Sequence, residues 1–136
     1  MLRRLRHTRL RRDERGTTLV EFALVLPVLA LILFAILQFG LLFYNYIDLT
    51  SAARDGARVA AVSRSTADGV GAVKTAIANA TTGITDSQMS ISVTPAQPWK
   101  AGDTVTVHVT YPYSLNIMGM VVWSGPMTAD AIVRIE

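Results

Sequence analysis

The sequence predicts an α+β protein in which a long N-terminal transmembrane helix continues as the spine of a small domain with a short helix and a three-stranded antiparallel sheet. Three observations predict it. The chain of 136 residues is 51% hydrophobic but only 17% charged, whereas soluble domains are about one quarter charged. One long apolar run lies near the N-terminus, and three short segments near the C-terminus alternate apolar and polar residues.

A basic segment opens the chain. Seven arginines and two acidic residues lie within residues 1–15, whereas the rest of the chain has six basic and eight acidic residues. Such a tail can bind nucleic acid or an anionic membrane surface. No aromatic residues interleave these arginines, and an apolar span follows directly. We therefore interpret residues 1–16 as a cytoplasmic leader near lipid headgroups and expect no nucleic-acid partner.

A transmembrane segment is predicted over about residues 22–44. Residues 22–37 contain no polar side chain, and the apolar character continues to Tyr44. These 23 residues form about 35 Å of helix at about 1.5 Å per residue, enough to cross a hydrocarbon core of about 30 Å. Arginines before the span and few cations after it predict a cytoplasmic N-terminus. A cleaved secretory signal is disfavoured, because the apolar run is longer than the usual length of about 7 to 15 residues and no clear small-x-small cleavage site with a polar exit follows it.

Glu21 is an ionisable residue at the cytoplasmic edge of this span. A carboxylate within a membrane costs on the order of 2.5 to 3.5 kcal/mol at the bilayer centre and less near the interface, which makes it a functional candidate. It needs a cationic partner. Arg15 lies six residues back and not on the same helical face. A partner on another subunit is the alternative.

The helix is predicted to continue beyond the membrane, over residues 17–62 in all. Its outer half carries small residues spaced i, i+4 and i+8, the small-xxx-small pattern that lets two helix backbones approach closely. This face packs either on the chain's own C-terminal domain or in a seam between subunits. Arg54 and Arg58 on a neighbouring face form either a solvated flank or a docking site for an acidic partner. The small residues are Ala52, Ala53, Gly56, Ala57 and Ala60.

Residues 63–136 are predicted to form a small α+β domain outside the membrane. Apolar residues at helical spacing predict a short helix over residues 70–80, weakened by Gly71. Alternation predicts strands at residues 89–94, 104–110 and 128–136, with the segment 118–126 as a connection before the third strand. Because three short strands are marginal alone, we expect the two helices to cover the apolar face of the sheet.

Two aromatic residues of this domain, Trp99 and Trp123, and the apolar stretch 115–122 admit more than one interpretation. They are core, a second membrane contact or an assembly patch, and the eight-residue stretch is too short to span a bilayer. His108 falls on the polar face of its strand, and we interpret it as a solvated sheet residue and not a ligand.

Catalytic chemistry has little support in the composition. The absence of cysteine excludes disulfides, thiolate metal sites and a cysteine nucleophile. The two histidines, His7 and His108, lie about a hundred positions apart, and no serine, carboxylate pair or histidine has a recognisable partner. We therefore predict no enzyme, no metal site and no cofactor.

A family resemblance is carried by the N-terminal half of the chain. The string RGTTLVEFALVLPVLALILF, residues 15–34, resembles the class III signal of type IV pilin-like proteins. The stretch DLTSAARDGARVAAV, residues 48–62, is similar to the TadE-like proteins of tight adherence (Flp-type) pili. The resemblance covers roughly residues 15–62 and implies a pilin-like fold. It departs from major pilins at Thr17, where phenylalanine or methionine is common.

What the resemblance implies is maturation followed by assembly. A prepilin peptidase would cut between Gly16 and Thr17, where a glycine fits a narrow protease site and leaves the leader locally unwound. The new α-amino group of Thr17 would then lie one turn before Glu21 and pair with that carboxylate or with a neighbour's. The chain would be a minor pseudopilin of the bacterial inner membrane, with other pilins or pseudopilins and the pilus assembly platform as partners. The alternative is a single-pass membrane-anchored envelope domain that binds a partner outside any filament.

Overall fold

A computed structural model describes the chain from residue 14 to residue 136, with side chains from residue 16 onward except that of Asp86. Residues 1–13 of the predicted leader lie outside the described residues. The α+β class is confirmed. The elements are α1 (Glu14–Val62), α2 (Gly69–Ala80), a short 3-10 turn (Asp86–Gln88), β1 (Ser90–Thr94), β2 (Thr104–Ile117) and β3 (Met120–Arg134).

The first element, α1, is one continuous helix of 49 residues that passes through Pro27. It begins three residues before the predicted start, and Gly16 lies inside it. The expected unwinding at Gly16 is therefore wrong for the uncut chain. The first four N–H groups of a helix have no intrahelical acceptor, so the first turn depends less on the conformational preference of each residue.

The N-terminal part of α1 is suited to a membrane. Among the described residues, the helix over Gly16–Val62 is the one that is long and apolar enough to cross a bilayer. None of its most apolar window is buried inside the chain, unlike the core helix of a soluble protein. The same helix continues into the domain and supplies buried core residues such as Leu49. Single-pass anchoring through α1 fits these observations.

Helix α2 begins where the sequence provides a cap. The Asp68 side chain accepts a hydrogen bond from the backbone N–H of Gly71 at 2.7 Å. A Cβ atom on residue 71 would lie 2.0 Å from Oδ2 of Asp68. Gly71, which lowers helix propensity, therefore makes room for the N-terminal cap that starts the helix.

The sheet has the order β1-β2-β3 with antiparallel pairs, and β2 lies in the middle. The expected connection over 118–126 is wrong. Only Met118 and Gly119 form the turn, and β3 already begins at Met120. Both turn residues have positive φ, 50° and 86°, which is the pattern of a two-residue hairpin turn that usually carries Asn-Gly or Asp-Gly. Without that signature, the sequence pattern did not reveal the long hairpin.

The core lies between the outer half of α1, α2 and the inner face of the sheet. Trp99 is 3% exposed, and its indole N–H donates to the carbonyl of Pro95 at 2.9 Å. Trp99 is therefore a core residue. The largest fully buried side chains are Leu49, Ile77, Val73, Val105, Val107 and Val109.

Candidate processing and assembly site

The residues predicted for processing and assembly lie on the first turns of α1. Thr17 and Glu21 are four residues apart, about 6 Å along the axis, so they lie one above the other on the same side of the helix. Among the described residues, and leaving out its chain neighbours and the nearby helix backbone, a Cβ atom on Gly16 would meet no atom within 4 Å. The folded chain therefore has space for a side chain at residue 16, and a requirement for glycine there must come from outside the fold.

On the C-terminal side of Glu21, α1 carries no charged residue for a long distance. The Glu21 side chain is exposed, and the next Asp, Glu, Lys, Arg or His along the helix is Asp48, 27 residues and about 40 Å further on. The first cationic side chain on α1 beyond residue 16 is Arg54. Within the part of the chain that the structure describes, no side chain forms a salt bridge with Glu21.

Around Glu21 and beyond it, the helix surface is apolar and uncovered. The exposed large hydrophobic residues from Leu19 to Ile47 have relative solvent exposures between 44% and 71%. The domain covers none of the most apolar window of α1. Lipid or other apolar helices must therefore cover this surface, because a stretch of this size is not stable in water.

The small-residue face has a different environment. Ala52, Ala53 and Ala60 are completely buried, and Ala57 is 5% exposed. A Cβ atom on Gly56 would lie 2.6 Å from Cγ1 of Ile77 in α2. The face therefore packs on the chain's own domain, and residues that are fully covered there cannot line a seam between subunits.

A polar clamp joins the domain to α1 at the predicted end of the span. The Asp48 carboxylate accepts hydrogen bonds from the backbone N–H groups of Thr82 at 3.0 Å and Gly83 at 3.2 Å. The Tyr44 hydroxyl lies 3.1 Å from Oγ1 of Thr82. The sequence pattern did not reveal this clamp, although an aspartate directly after an apolar span was an available signal. The domain is thus fixed at the level where the predicted membrane segment ends.

Comparison with known protein families tests the resemblance. Residues 16–58 match the family model of the TadE-like proteins. The TadE-like segment contains Gly16, Glu21 and the small-residue face up to Ala57, and it leaves out α2 and the sheet. No match was found among curated proteins or among solved structures. The match covers about a third of the chain, and over that segment the chain is similar to TadE-like proteins.

Outside the TadE-like segment, His108, Asp130 and Thr110 form a polar cluster. His108 Nδ1 hydrogen-bonds to Oδ1 of Asp130, and His108 Nε2 lies 3.0 Å from Oγ1 of Thr110. We expected His108 to have no recognisable partner, so its contacts are a correction. The order acid, histidine, hydroxyl is that of a hydrolase triad, but such triads bury the acid. Here the histidine and aspartate side chains are 43% and 58% exposed.

The register explains this cluster. His108 and Asp130 lie directly opposite each other on β2 and β3, on the polar outer face of the sheet, where cross-strand pairs contribute about 0.2–1 kcal/mol. A depression of about 600 Å³ borders Thr110 and is lined by uncharged residues. We therefore assign the cluster to the stability of the sheet surface.

The charged flank of α1 lies beside the end of β3. Arg54 and Arg58 line a groove of about 520 Å³ together with Asp130 and Glu136. Two acidic residues therefore stand beside the two cations. This mixture of signs favours a solvated flank over a docking site for an acidic partner.

Proposed function

We propose that the chain is a minor pseudopilin of a tight adherence (Flp-type) pilus, cut by a prepilin peptidase after Gly16 and used in pilus assembly or surface adhesion. The observation that supports this most is the position of Glu21. It is a carboxylate without a described cationic partner, on a helix whose apolar surface the chain leaves uncovered, inside the TadE-like segment.

Cleavage would create the missing cation. Hydrolysis of the peptide bond between Gly16 and Thr17 leaves a carboxylate on the leader and an amine on Thr17, and an α-amino group is largely protonated at neutral pH. That ammonium group would lie one turn from Glu21. Before assembly the two groups of one subunit pair, and in a filament the carboxylate pairs with the amine of a neighbour.

The apolar surface around Glu21 explains why a charge pair would matter. When α1 leaves lipid and packs among other apolar helices, apolar burial changes little, because lipid tails are as apolar as leucine side chains. Packing and polar contacts then decide which helices associate and in which register. An unpaired carboxylate disfavours every register in which it has no cationic partner.

The proposed location follows from the same segment. The leader would lie in the cytoplasm and α1 would cross the inner membrane over about residues 22–44, with residues 63–136 outside it. The proposed partners are the prepilin peptidase, the pilus assembly platform and other pilins or pseudopilins.

The proposal is tested by the N-terminus of the protein isolated from its own membrane. We expect mass spectrometry to find Thr17 as the first residue in the wild type. Gly16→Leu is expected to remain uncut, although a Cβ at residue 16 would meet no described side chain within 4 Å. Gly40→Leu is the matched control, because a Cβ at Gly40 on the same helix would also meet no described side chain within 4 Å, and this variant should be cut normally.

A wild-type chain that keeps its leader in cells with an active peptidase contradicts processing. The chain would then be the single-pass anchored envelope domain that the sequence analysis leaves as the alternative.

The role of the carboxylate is tested by Glu21→Gln, which removes the charge and keeps the size of the side chain. We expect normal membrane insertion and loss of piliation, measured by membrane fractionation and electron microscopy. Asp55→Asn is the control, because Asp55 is an exposed acidic residue on the same helix outside the predicted span, and this variant should keep piliation. Piliation of the Glu21→Gln strain at the wild-type level would show that Glu21 has no role between subunits.

A further inference from the structure

The exposed apolar side chains outside α1 are concentrated in one place. Among the described residues beyond α1, six large hydrophobic side chains are exposed, and only Ile132 lies elsewhere. The part of the β2–β3 hairpin that extends beyond β1, residues 111–127, is called the β-arm. Its tip is the turn with its flanking residues, 117–123. The five exposed residues of the tip are Met118, Met120, Val121, Val122 and Trp123.

The β-arm is also uncharged. Residues 111–127 contain no Asp, Glu, Lys, Arg or His. Burial, and secondarily the neighbouring Tyr111, raises the pKa of Tyr113 above its ordinary value. The phenol therefore remains neutral at physiological pH. An interaction of the β-arm must then depend on apolar contact and not on charge.

Contacts with α1 distinguish the two ends of the domain. At the end far from the membrane segment, the backbone N–H of Glu136 donates to the carbonyl of Ala61 at 3.2 Å. At the near end, the loop at Thr82 and Gly83 is bonded to Asp48. The domain therefore extends along α1 from the end of the predicted span to the end of the helix.

Strand β1 fixes the direction in which the β-arm points. Its start, Ser90, follows the near loop and pairs with Thr110, whereas its end, Thr94, pairs with Thr106. Beyond β1, Gln97 accepts a hydrogen bond from the backbone N–H of Gly69, close to the far end of α1. Moving along β2 from Thr106 to Thr110 therefore leads toward the membrane segment, and the β-arm continues in that direction.

The hairpin is longer than the part of α1 outside the predicted span. From Arg134 to Met120, β3 advances about 46 Å at about 3.3 Å per residue. From Ala61 back to Tyr44, α1 advances about 26 Å at about 1.5 Å per residue. Strands inclined by about 45° to the helix would still reach about 33 Å along it. The tip therefore reaches past Tyr44, to the level of the bilayer.

We propose that the tip of the β-arm inserts into the lipid headgroup layer of the membrane that α1 crosses, as a second membrane contact of the chain. Trp123, which is 48% exposed, supplies an aromatic ring of the kind that favours this layer. Insertion stops there, because β1 begins only at Ser90 and so does not pair with the β-arm, and because β3 is an edge strand. The β-arm has unpaired backbone groups on both edges, which the water-free hydrocarbon core cannot satisfy.

The residue type at the turn indicates that the tip lies in apolar surroundings. Met118 has a φ of 50°, in the left-handed region where asparagine, aspartate and glycine are favoured. Its side chain is 63% exposed, so internal packing does not explain a methionine at this position. Lipid contact gives the methionine side chain a function that a polar turn residue would lack.

The chain has no cysteine, so single cysteines can carry a nitroxide label. Met120→Cys reports on the tip. Ile132→Cys is the control, because it lies on the same strand and the native side chains are 68% and 70% exposed. The full chain is reconstituted in phosphatidylcholine vesicles at low protein density, and electron paramagnetic resonance measures collisions of each label with lipid-soluble oxygen and with a water-soluble nickel chelate.

We expect the ratio of oxygen to nickel-chelate collisions to be several-fold higher at residue 120 than at residue 132, and to be unaffected by anionic lipid. Equal ratios would overturn the proposal. A label at residue 120 that is shielded from both reagents, with spin–spin broadening that disappears on dilution with unlabelled chain, would also overturn it in favour of contact with a second copy. The result is independent of cleavage after Gly16, since it requires only that α1 spans the bilayer.

Discussion

The two halves of α1 belong to one helix but meet opposite surroundings. The N-terminal half presents large, exposed side chains such as Leu24 and Phe22 to the outside, whereas the outer half presents buried alanines and Gly56 to α2 and the sheet. Lipid chains rearrange around large side chains. A folded sheet and a second helix keep their positions, so close packing against them requires small residues. Side-chain size along α1 therefore indicates what covers each half.

Truncation of a large side chain should separate the two halves most clearly. Leu49 is fully buried, whereas Leu37 in the span is 55% exposed. We expect Leu49→Ala to lower the free energy of unfolding of the domain by about 2–5 kcal/mol. Leu37→Ala should leave it unchanged. Chemical denaturation of the full chain in detergent micelles, followed by near-ultraviolet circular dichroism, measures both. Equal losses would show that the domain does not unfold independently of the span.

A smaller effect is expected from adding one methyl group. In Gly56→Ala, the new Cβ would lie 2.6 Å from Cγ1 and 2.7 Å from Cδ1 of Ile77, so Ile77 must move. Such overpacking costs about 1–3 kcal/mol. Gly40→Ala adds the same group where nothing lies within 4 Å. The same denaturation experiment should show destabilisation for residue 56 alone; an unchanged Gly56→Ala variant would mean that α1 and α2 separate without cost.

The smallest change in the free energy of unfolding is expected from α2, the helix that covers the small-residue half of α1. Asp68→Ala removes the cap at the start of α2, and we expect a loss of about 1 kcal/mol in the free energy of unfolding. Asp55→Ala, at an exposed acidic residue on α1, should have little effect. If both variants lose the same stability, net charge and not capping determines the result.

Local patterns were sufficient for much of the fold. The long apolar run, the helical spacing before Ala80 and the alternation around Val107 predicted α1, α2 and β1 close to their observed limits, but β2 and β3 only over the part of the hairpin outside the β-arm. The β-arm was missed because the run at residues 117–122 does not alternate and the Met118–Gly119 turn lacks the usual polar residue. Gly71 was interpreted only as weakening α2, because its contact with Asp68 is visible only in three dimensions.

In the candidate site too, contacts within one helix could be predicted from the sequence, whereas contacts between distant segments could not. Thr17 and Glu21 are brought together by the pitch of a single helix, so their spacing in the sequence is enough to place them. His108 and Asp130 meet through the register of the β2–β3 hairpin, and that register depends on the unrecognised turn. The Asp48 clamp depends on the packing of α2 against α1. Contacts between distant segments therefore required the structure.

The uninterrupted course of α1, combined with the clamp at Asp48, has a rotational consequence. At about 100° per residue, the 27 positions between Glu21 and Asp48 correspond to about seven and a half turns, so these two carboxylates point in roughly opposite directions around the axis. Inserting one residue between them would swing the domain by about 100° relative to Glu21. The direction in which the domain faces around the helix axis, relative to Glu21, is thus set by the number of residues between Glu21 and Asp48.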